Sequence, residues 1–297
     1  MDVPDLLRDL GGVARRSTLL RVVERAELER AVVTGLVVRD ARGLYALPEA
    51  DAARRIAARL GGVLCLTSAA IEHGWAVKTV PDKPHVLVSL GRRLRPVFRR
   101  FAHVHIGDPS RLRVCEGVTD QALTLEQCLR RLPYDEALAV ADSALRSGVG
   151  RRVLDRMAES ARGPGSPKIR RVCRNADERA ANPFESVLRA IAHDVPGLDV
   201  TPQVVIVDGD VTVRPDLVDE RLWLVFEADS FEWHGKRSAL ASDTRRYNML
   251  VVRGWIVLRF CYEDVMFHPD DVRQVLIAAV ALAELLSEVG RRRPRAA

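Results

Sequence analysis

The stretch that most constrains this chain is Leu222-Trp223-Leu224-Val225-Phe226, an almost continuous apolar run that ends in Glu227-Ala228-Asp229. Such a run reads as a central strand covered on both faces. Strand residues alternate between faces, so Glu227 and Asp229 point the same way at its end. Two like charges in that position are costly unless something neutralises them, and a divalent cation is the economical answer. The surroundings supply the rest of an α/β layer. A helix opens at Asn182 or Pro183, carries Glu185 and turns Val187, Leu188 and Ile191 inward. Val204 to Val207 and Val211 to Val213 form a hairpin about Asp208-Gly209, followed by Pro215-Asp216. An amphipathic helix over Leu240 to Val252, a strand over Gly254 to Phe260 and a closing helix over Val272 to Leu286 complete the order.

That order resembles the PD-(D/E)XK restriction-endonuclease-like core, and more specifically the compact endonuclease domains related to very-short-patch mismatch repair enzymes. The resemblance spans about residues 182–280. It rests on Glu185, Gln203, Pro215-Asp216, Glu227-x-Asp229, His234, Asp243-x-x-Arg246, and Gly254-Trp255 leading to Leu258-Arg259-Phe260. It implies that Asp216 and Glu227 ligate Mg²⁺ (or Mn²⁺), that Glu185 or Asp229 completes the site, and that His234 acts beside the scissile phosphate. The chemistry is consistent: phosphodiester hydrolysis needs an activated water and neutralisation of developing charge, and Mg²⁺ takes oxygen ligands while retaining waters. Histidine exchanges protons near neutral pH. Arg246 either stabilises phosphate charge or pairs with Asp243. One departure stands out. Family members usually carry lysine two residues after the second acidic ligand, where this chain has Asp229. Lys236 is the one lysine of this domain. Ser230 also replaces a usual glycine.

The first 50 residues read as three short helices and a hairpin. Leu6, Leu7 and Leu10 lead to Gly11-Gly12; Val13 to Val23 and Glu24 to Thr34 follow as helices; Gly35 is a stop. Leu36 to Val38 and Leu44 to Leu47 flank a turn. This winged-helix arrangement, with its closing Arg42-Gly43-Leu44-Tyr45-Ala46-Leu47, resembles the N-terminal domain of AbiEi-type antitoxins from abortive-infection toxin–antitoxin pairs. The resemblance implies DNA binding and a cognate toxin partner. Residues 51–160 look like the α/β middle region of the same family. Thr67 or Ser68 is expected to cap a helix over Ala69 to His73. Strands are expected over Val63 to Leu66, His85 to Leu90 and His103 to Ile106, with a basic hairpin arm over Gly91 to Arg100. Arg92, Arg93, Arg95, Arg99 and Arg100 of that arm either track phosphates or protect a solvated β-edge. His103 and His105 share a strand face, a spacing compatible with metal. Residues 161–181 read as a basic linker, because Gly163-Pro164-Gly165-Ser166-Pro167 breaks the chain before the run Lys168 to Arg174.

Charge separates the two ends. Residues 1–180 carry a net +10, residues 181–290 a net −8 and the tail 291–297 a net +4. Five scattered cysteines form no disulfide or zinc pattern, no run is long enough to span a membrane, and the N-terminus lacks a signal peptide's basic start. The expectation is a cytoplasmic α/β (mixed) protein with a winged helix (1–50), an α/β middle domain (51–160), a linker (161–181) and an endonuclease-like domain (182–290). Its expected function is Mg²⁺-dependent DNA cleavage in phage defence or DNA repair. The alternative is a repressor or type IV antitoxin with a degenerate nuclease fold.

Overall fold

The computed structural model describes residues 2–92, 94, 96–108, 113–209, 211–229 and 237–289, and only the backbone at 208, 211, 237–243 and 246. The protein is mixed α/β, and it divides into two units, residues 1–130 and 131–297. In the first unit, α1 (Val3–Asp9) starts on Asp2, whose carboxylate accepts from the Asp5 N–H at 2.8 Å. β1 (Val13–Arg15), α2 (Arg16–Leu19), α3 (Arg25–Val33), β2 (Val38–Ala41) and β3 (Leu44–Ala46) follow. β3 lies between β1 and β2 in an antiparallel sheet. The expected single helix from Val13 to Val23 is therefore a strand and a short helix, because Val13 to Arg15 pair with Leu44 to Ala46. Leu7, Leu19 and Leu28 centre the core between these elements.

Next come α4 (Ala52–Leu60), β4 (Val63–Leu64), α5 (Leu66–Glu72), β5 (His85–Ser89), a 3-10 turn (Pro96–Arg100), β6 (His103–Gly107), β7 (Val114–Cys115), β8 (Val118–Thr119) and α6 (Gln121–Arg131). The sheet order is β6-β5-β4-β8-β7. Two expectations change here. β5 and β6 run parallel, so Gly91 to Ala102 is a crossover connection and not a hairpin arm. Cys65 occupies the cap of α5, while the Ser68 hydroxyl accepts from the His85 N–H at 2.9 Å. The boundary at residue 50 is also closed. Arg55 and Arg59 of α4 both bind the buried Asp40 carboxylate of β2 at 2.6 Å.

The second unit opens with α7 (Tyr134–Arg146), α8 (Arg151–Ser160), α9 (Ser166–Asn175) and α10 (Pro183–Ala192). The expected linker 161–181 is corrected by α9, which buries Ile169, Val172 and Cys173. Pro167 sits in its first turn, where a missing N–H costs nothing. The basic run is used internally. Arg170 donates to the Ala161 carbonyl at 3.0 Å, and Arg171 stacks 3.9 Å from the Tyr134 ring centroid while binding Asp194. Helices α7 and α8, placed by sequence in the middle domain, belong to this unit.

β9 (Thr201–Pro202), β10 (Ile206–Asp208), β11 (Val211–Val213), β12 (Leu217–Asp219), β13 (Leu224–Asp229), α11 (Arg237–Val252), β14 (Ile256–Cys261), α12 (Tyr262–Phe267) and α13 (Pro269–Glu288) finish the chain. β10 and β11 form the expected antiparallel hairpin. The main sheet has the order β14-β13-β12-β9, with β13 parallel to β14 and antiparallel to β12. α11 makes the crossover between the parallel pair. β13 is covered on both faces: Leu224 and Phe226 pack with α10 and α13 residues such as Leu188 and Leu276, while Val225 packs with Leu250 and Trp255. None of the five cysteines is in a disulfide. Among the described residues, no helix is long and apolar enough to cross a membrane.

Candidate active site

Alternation along β13 places Glu227 on the Val225 face, beneath α11. There the Tyr247 hydroxyl donates to Glu227 Oε1. Asp216 precedes β12, the antiparallel neighbour of β13, and its Oδ2 accepts from the Ala228 N–H at 2.8 Å. The two carboxyl groups are close enough for each to shift the other's titration. Burial, then the neighbouring Asp216 charge, pushes Glu227 up to about 8, so Glu227 holds the proton of the pair at neutral pH. Burial also raises Asp216, against the hydrogen bonds from Ala228 and Gln203.

Gln203 sits just beyond β9 at φ 57, a left-handed conformation that a side chain rarely adopts. Its amide lies between two carboxylates, donating to Glu185 Oε2 at 3.1 Å and Asp216 Oδ1 at 3.0 Å. Glu185 is the third residue of α10. Asn182 caps that helix by accepting from the Glu185 N–H at 3.0 Å, and Glu185 reaches back to Asn182 Nδ2 and the Ala181 N–H at 2.8 Å each. This reciprocal capping box occupies both Glu185 oxygens. Glu185, which the resemblance implies as a metal ligand, holds Gln203 through Oε2, and Gln203 holds Asp216.

Asp229 does not face Glu227 as an unneutralised second charge. Its Oδ2 lies 2.7 Å from Arg259 Nη2, and Arg259 is the register partner of Glu227 on β14. The like charges expected at the strand end are thus answered by a proton on Glu227 and a guanidinium beside Asp229. Among the described residues, no three His, Cys, Asp or Glu side chains are arranged to hold one metal ion. Asp216 and Glu227 fit a cation as a two-carboxylate set, which is what Mg²⁺ uses when waters and phosphate oxygens complete its shell. His234, Lys236, Arg93 and Arg95 lie outside the described residues, and the side chains of Asp243 and Arg246 lie outside the described side chains. Sequence reasoning missed Tyr247. The signal was its place three residues before Leu250 on the inward face of α11.

In the first unit, Arg92, Arg99 and Arg100 are exposed. Arg92 lies over Gly61, where its guanidinium occupies the space a Cβ would take. Exposed Phe98 and Phe101 flank Arg99 and Arg100. His103 and His105 do not form an isolated pair. His105 Nε2 lies 2.9 Å from His85 Nδ1, and His103 Nε2 lies 2.7 Å from Asp82. Burial and the two neighbouring histidines hold His85 down at about 4.

Glu227 gives a pH prediction for stability. Its folded-state value near 8 exceeds its ordinary 4.5, so the folded chain binds this proton more tightly than the unfolded chain does. The stabilisation is full below pH 4.5 and is lost as pH rises through 8. Glu227→Gln keeps the hydrogen-bonding shape without the charge. Its thermal midpoint should exceed that of the wild type above pH 8 and should decline less across the interval. Parallel midpoint-against-pH curves for the two proteins would show that Glu227 is not the group responsible.

No family model matches the chain, and no curated protein matches it. Among solved structures, it is similar to the crystal structure of the RV2827C protein from Mycobacterium tuberculosis, at 15% identity and a TM-score of 0.33, over 62% of this chain and 78% of that one. The functional reading therefore rests on the residues of the site.

Proposed function

We propose that the second unit is a Mg²⁺- or Mn²⁺-dependent DNA endonuclease of the PD-(D/E)XK type, and that the first unit, with its N-terminal winged helix, brings it to DNA. The observation that carries this reading is the half-buried Asp216–Glu227 pair on adjacent strands, held by Gln203 and Tyr247. Asp216 and Glu227 would hold the ion, which when bound would activate a water for attack and neutralise charge on the phosphate. Gln203 and the Ala228 N–H fix both Asp216 oxygens, so the pair is oriented before substrate arrives. Tyr247 holds Glu227 on the α11 side. His234 is proposed as the proton donor or acceptor beside the phosphate. The setting is phage defence or DNA repair, in the cytoplasm, with a cognate toxin as a possible protein partner. The decisive experiment is incubation of the full chain with supercoiled plasmid, in Mg²⁺ or Mn²⁺ against EDTA. Nicking that EDTA abolishes supports the reading; intact plasmid in every condition overturns it.

A second reading, a repressor or type IV antitoxin that binds without cutting, is favoured by Asp229 standing where the family's lysine is usual. A DNA footprint without cleavage would select it.

Both readings place DNA on the first unit. Arg25 of α3 is tied to Glu29 at 2.7 Å, which leaves the helix face balanced in charge. The exposed Arg99 and Arg100, beside Phe98 and Phe101, are better placed to meet phosphates. Each phosphate contact contributes about −0.9 to the slope of log K against log salt, so the double variant Arg99→Ala/Arg100→Ala should flatten that slope by up to ~1.8. An unchanged slope in a fluorescence-anisotropy titration would move the contact surface elsewhere.

A further inference from the structure

An acidic site that cuts a phosphodiester must also hold an anion. Asp216 and Asp229 repel phosphate, and the position at which the resemblance implies a lysine is itself acidic. The neighbouring strand answers this. Arg259 faces the same side of the sheet as Glu227, because the two are register partners in the parallel β13–β14 pair. Its side chain is 37% exposed. Asp229 engages Nη2 at 2.7 Å, and the guanidinium carbon lies 5.9 Å from the centroid of the Tyr247 ring. Tyr247 in turn donates to Glu227. A permanent cation is therefore fixed on the sheet face that carries Glu227, gripped on one side by Asp229 and flanked by an aromatic ring. Guanidinium matches phosphate oxygens with two parallel N–H donors, and one carboxylate engages only part of its five-donor fork. Arg146 also lies near Glu185, but it donates to the Ala180 carbonyl.

We propose that Arg259 is the phosphate-binding cation of this site, standing in for the absent lysine, and that Asp229 is the residue that positions it. The proposal deepens the endonuclease reading and rests on it for the reaction, but the phosphate contact itself is testable without cleavage. In this arrangement Asp229 is not a metal ligand. Its charge orients Arg259, which explains why an acidic residue is tolerated at the lysine position.

The test uses the full chain and a short fluorescent DNA duplex in EDTA, titrated across salt, alongside plasmid nicking in Mg²⁺. Arg259→Met removes the cation; Asp229→Asn breaks the same ion pair while leaving the cation. Arg259→Met should flatten the salt slope by about 0.9, the loss of one phosphate contact, whereas Asp229→Asn should keep the wild-type slope. Arg259→Lys should restore most of it. Thermal melts check folding, and Arg259→Gln serves where the Met variant melts early. If Arg259→Met keeps the wild-type slope, the assignment is wrong. If Asp229→Asn and Arg259→Met lose affinity alike at an unaltered slope, the ion pair is only structural and the assignment is again wrong. A wild type with no salt-dependent DNA binding overturns it as well. A wild type that never nicks, but whose slope depends on Arg259, sinks the endonuclease reading and leaves the cation in place. A wild type that nicks, with Arg259→Met nicking equally fast at an equal slope, does the reverse.

Discussion

Asp216→Asn is expected to eliminate metal-dependent nicking while leaving the fold in place. The substitution keeps the shape of the side chain and removes the charge that a cation requires. Metal-assisted stabilisation of a phosphoryl transition state is worth several kcal/mol, and each 1.4 kcal/mol is tenfold in rate, so the loss should be on the order of 10³-fold or more. The hydrogen bonds limit how neutral the change can be. Asp216 now accepts from the Ala228 N–H through one oxygen and from Gln203 through the other. Asparagine has one acceptor, so its NH₂ must meet one of those donors. If it meets Gln203, the Gln203 amide can turn its carbonyl towards it, at the expense of the bond to Glu185. That loss is offset by removing a carboxylate whose burial disfavours its charged form. The thermal midpoint should therefore move little. Plasmid nicking at a wild-type rate by Asp216→Asn would remove the carboxylate pair from the mechanism altogether. A large fall in midpoint with lost nicking would instead assign Asp216 a structural role, and Glu227→Gln would then have to carry the test.

The parts of this site that were legible in the sequence are those carried by local periodicity. The run ending at Glu227 gives a strand, the apolar spacing after Asn182 gives a helix, and a helix between two apolar strands gives the parallel pair. Asp216 and Glu227, eleven residues apart, become neighbours because β12 and β13 pair antiparallel. What was not legible depends on partners distant in sequence. Glu185 reads as a free carboxylate until the cap geometry of Asn182 is seen. Gln203 bridges Glu185 and Asp216 only because its backbone turns left-handed after Pro202. Pro164 and Pro167 suggest a linker, yet a proline in the first turn of α9 is compatible with a buried helix. The arginines from 92 to 100 suggest a hairpin because both flanking segments are strands; their parallel pairing is a non-local fact that no turn signal encodes. Arg259 was visible as a residue but not as a partner of Asp229, since the register between β13 and β14 decides that contact.

A large effect on stability is expected far from the carboxylate pair, at Asp142→Ala. Asp142 of α7 and Arg189 of α10 form an ion pair whose side chains are 0% and 3% exposed. Asp142 also accepts from the Asp177 N–H at 2.8 Å and the Ser186 hydroxyl at 2.7 Å, while Arg189 donates to the Asn175 carbonyl at 2.5 Å. Removing Asp142 leaves a buried guanidinium without its counter-charge and takes the acceptor from the Asp177 N–H, while the Ser186 hydroxyl keeps the Asn182 carbonyl at 3.2 Å. Breaking a buried pair from one side typically costs about 3–5 kcal/mol. Yet burial raises the Asp142 carboxyl despite Arg189 beside it, so desolvation consumes much of what the attraction gives. The double variant Asp142→Leu/Arg189→Met, which removes both charges and keeps apolar volume, should recover much of the loss. Urea unfolding of the wild type, both single variants and the double variant measures this as a coupling between the two sites. Single variants within about 1 kcal/mol of wild type would mean the pair is not what joins α7 to α10. The consequence reaches the site through α10. That helix begins at Asn182 and Glu185, and Glu185 holds Gln203 against Asp216. A slackened α7–α10 contact should therefore weaken nicking in proportion to the lost stability, whereas Asp216→Asn should abolish it with stability nearly unchanged.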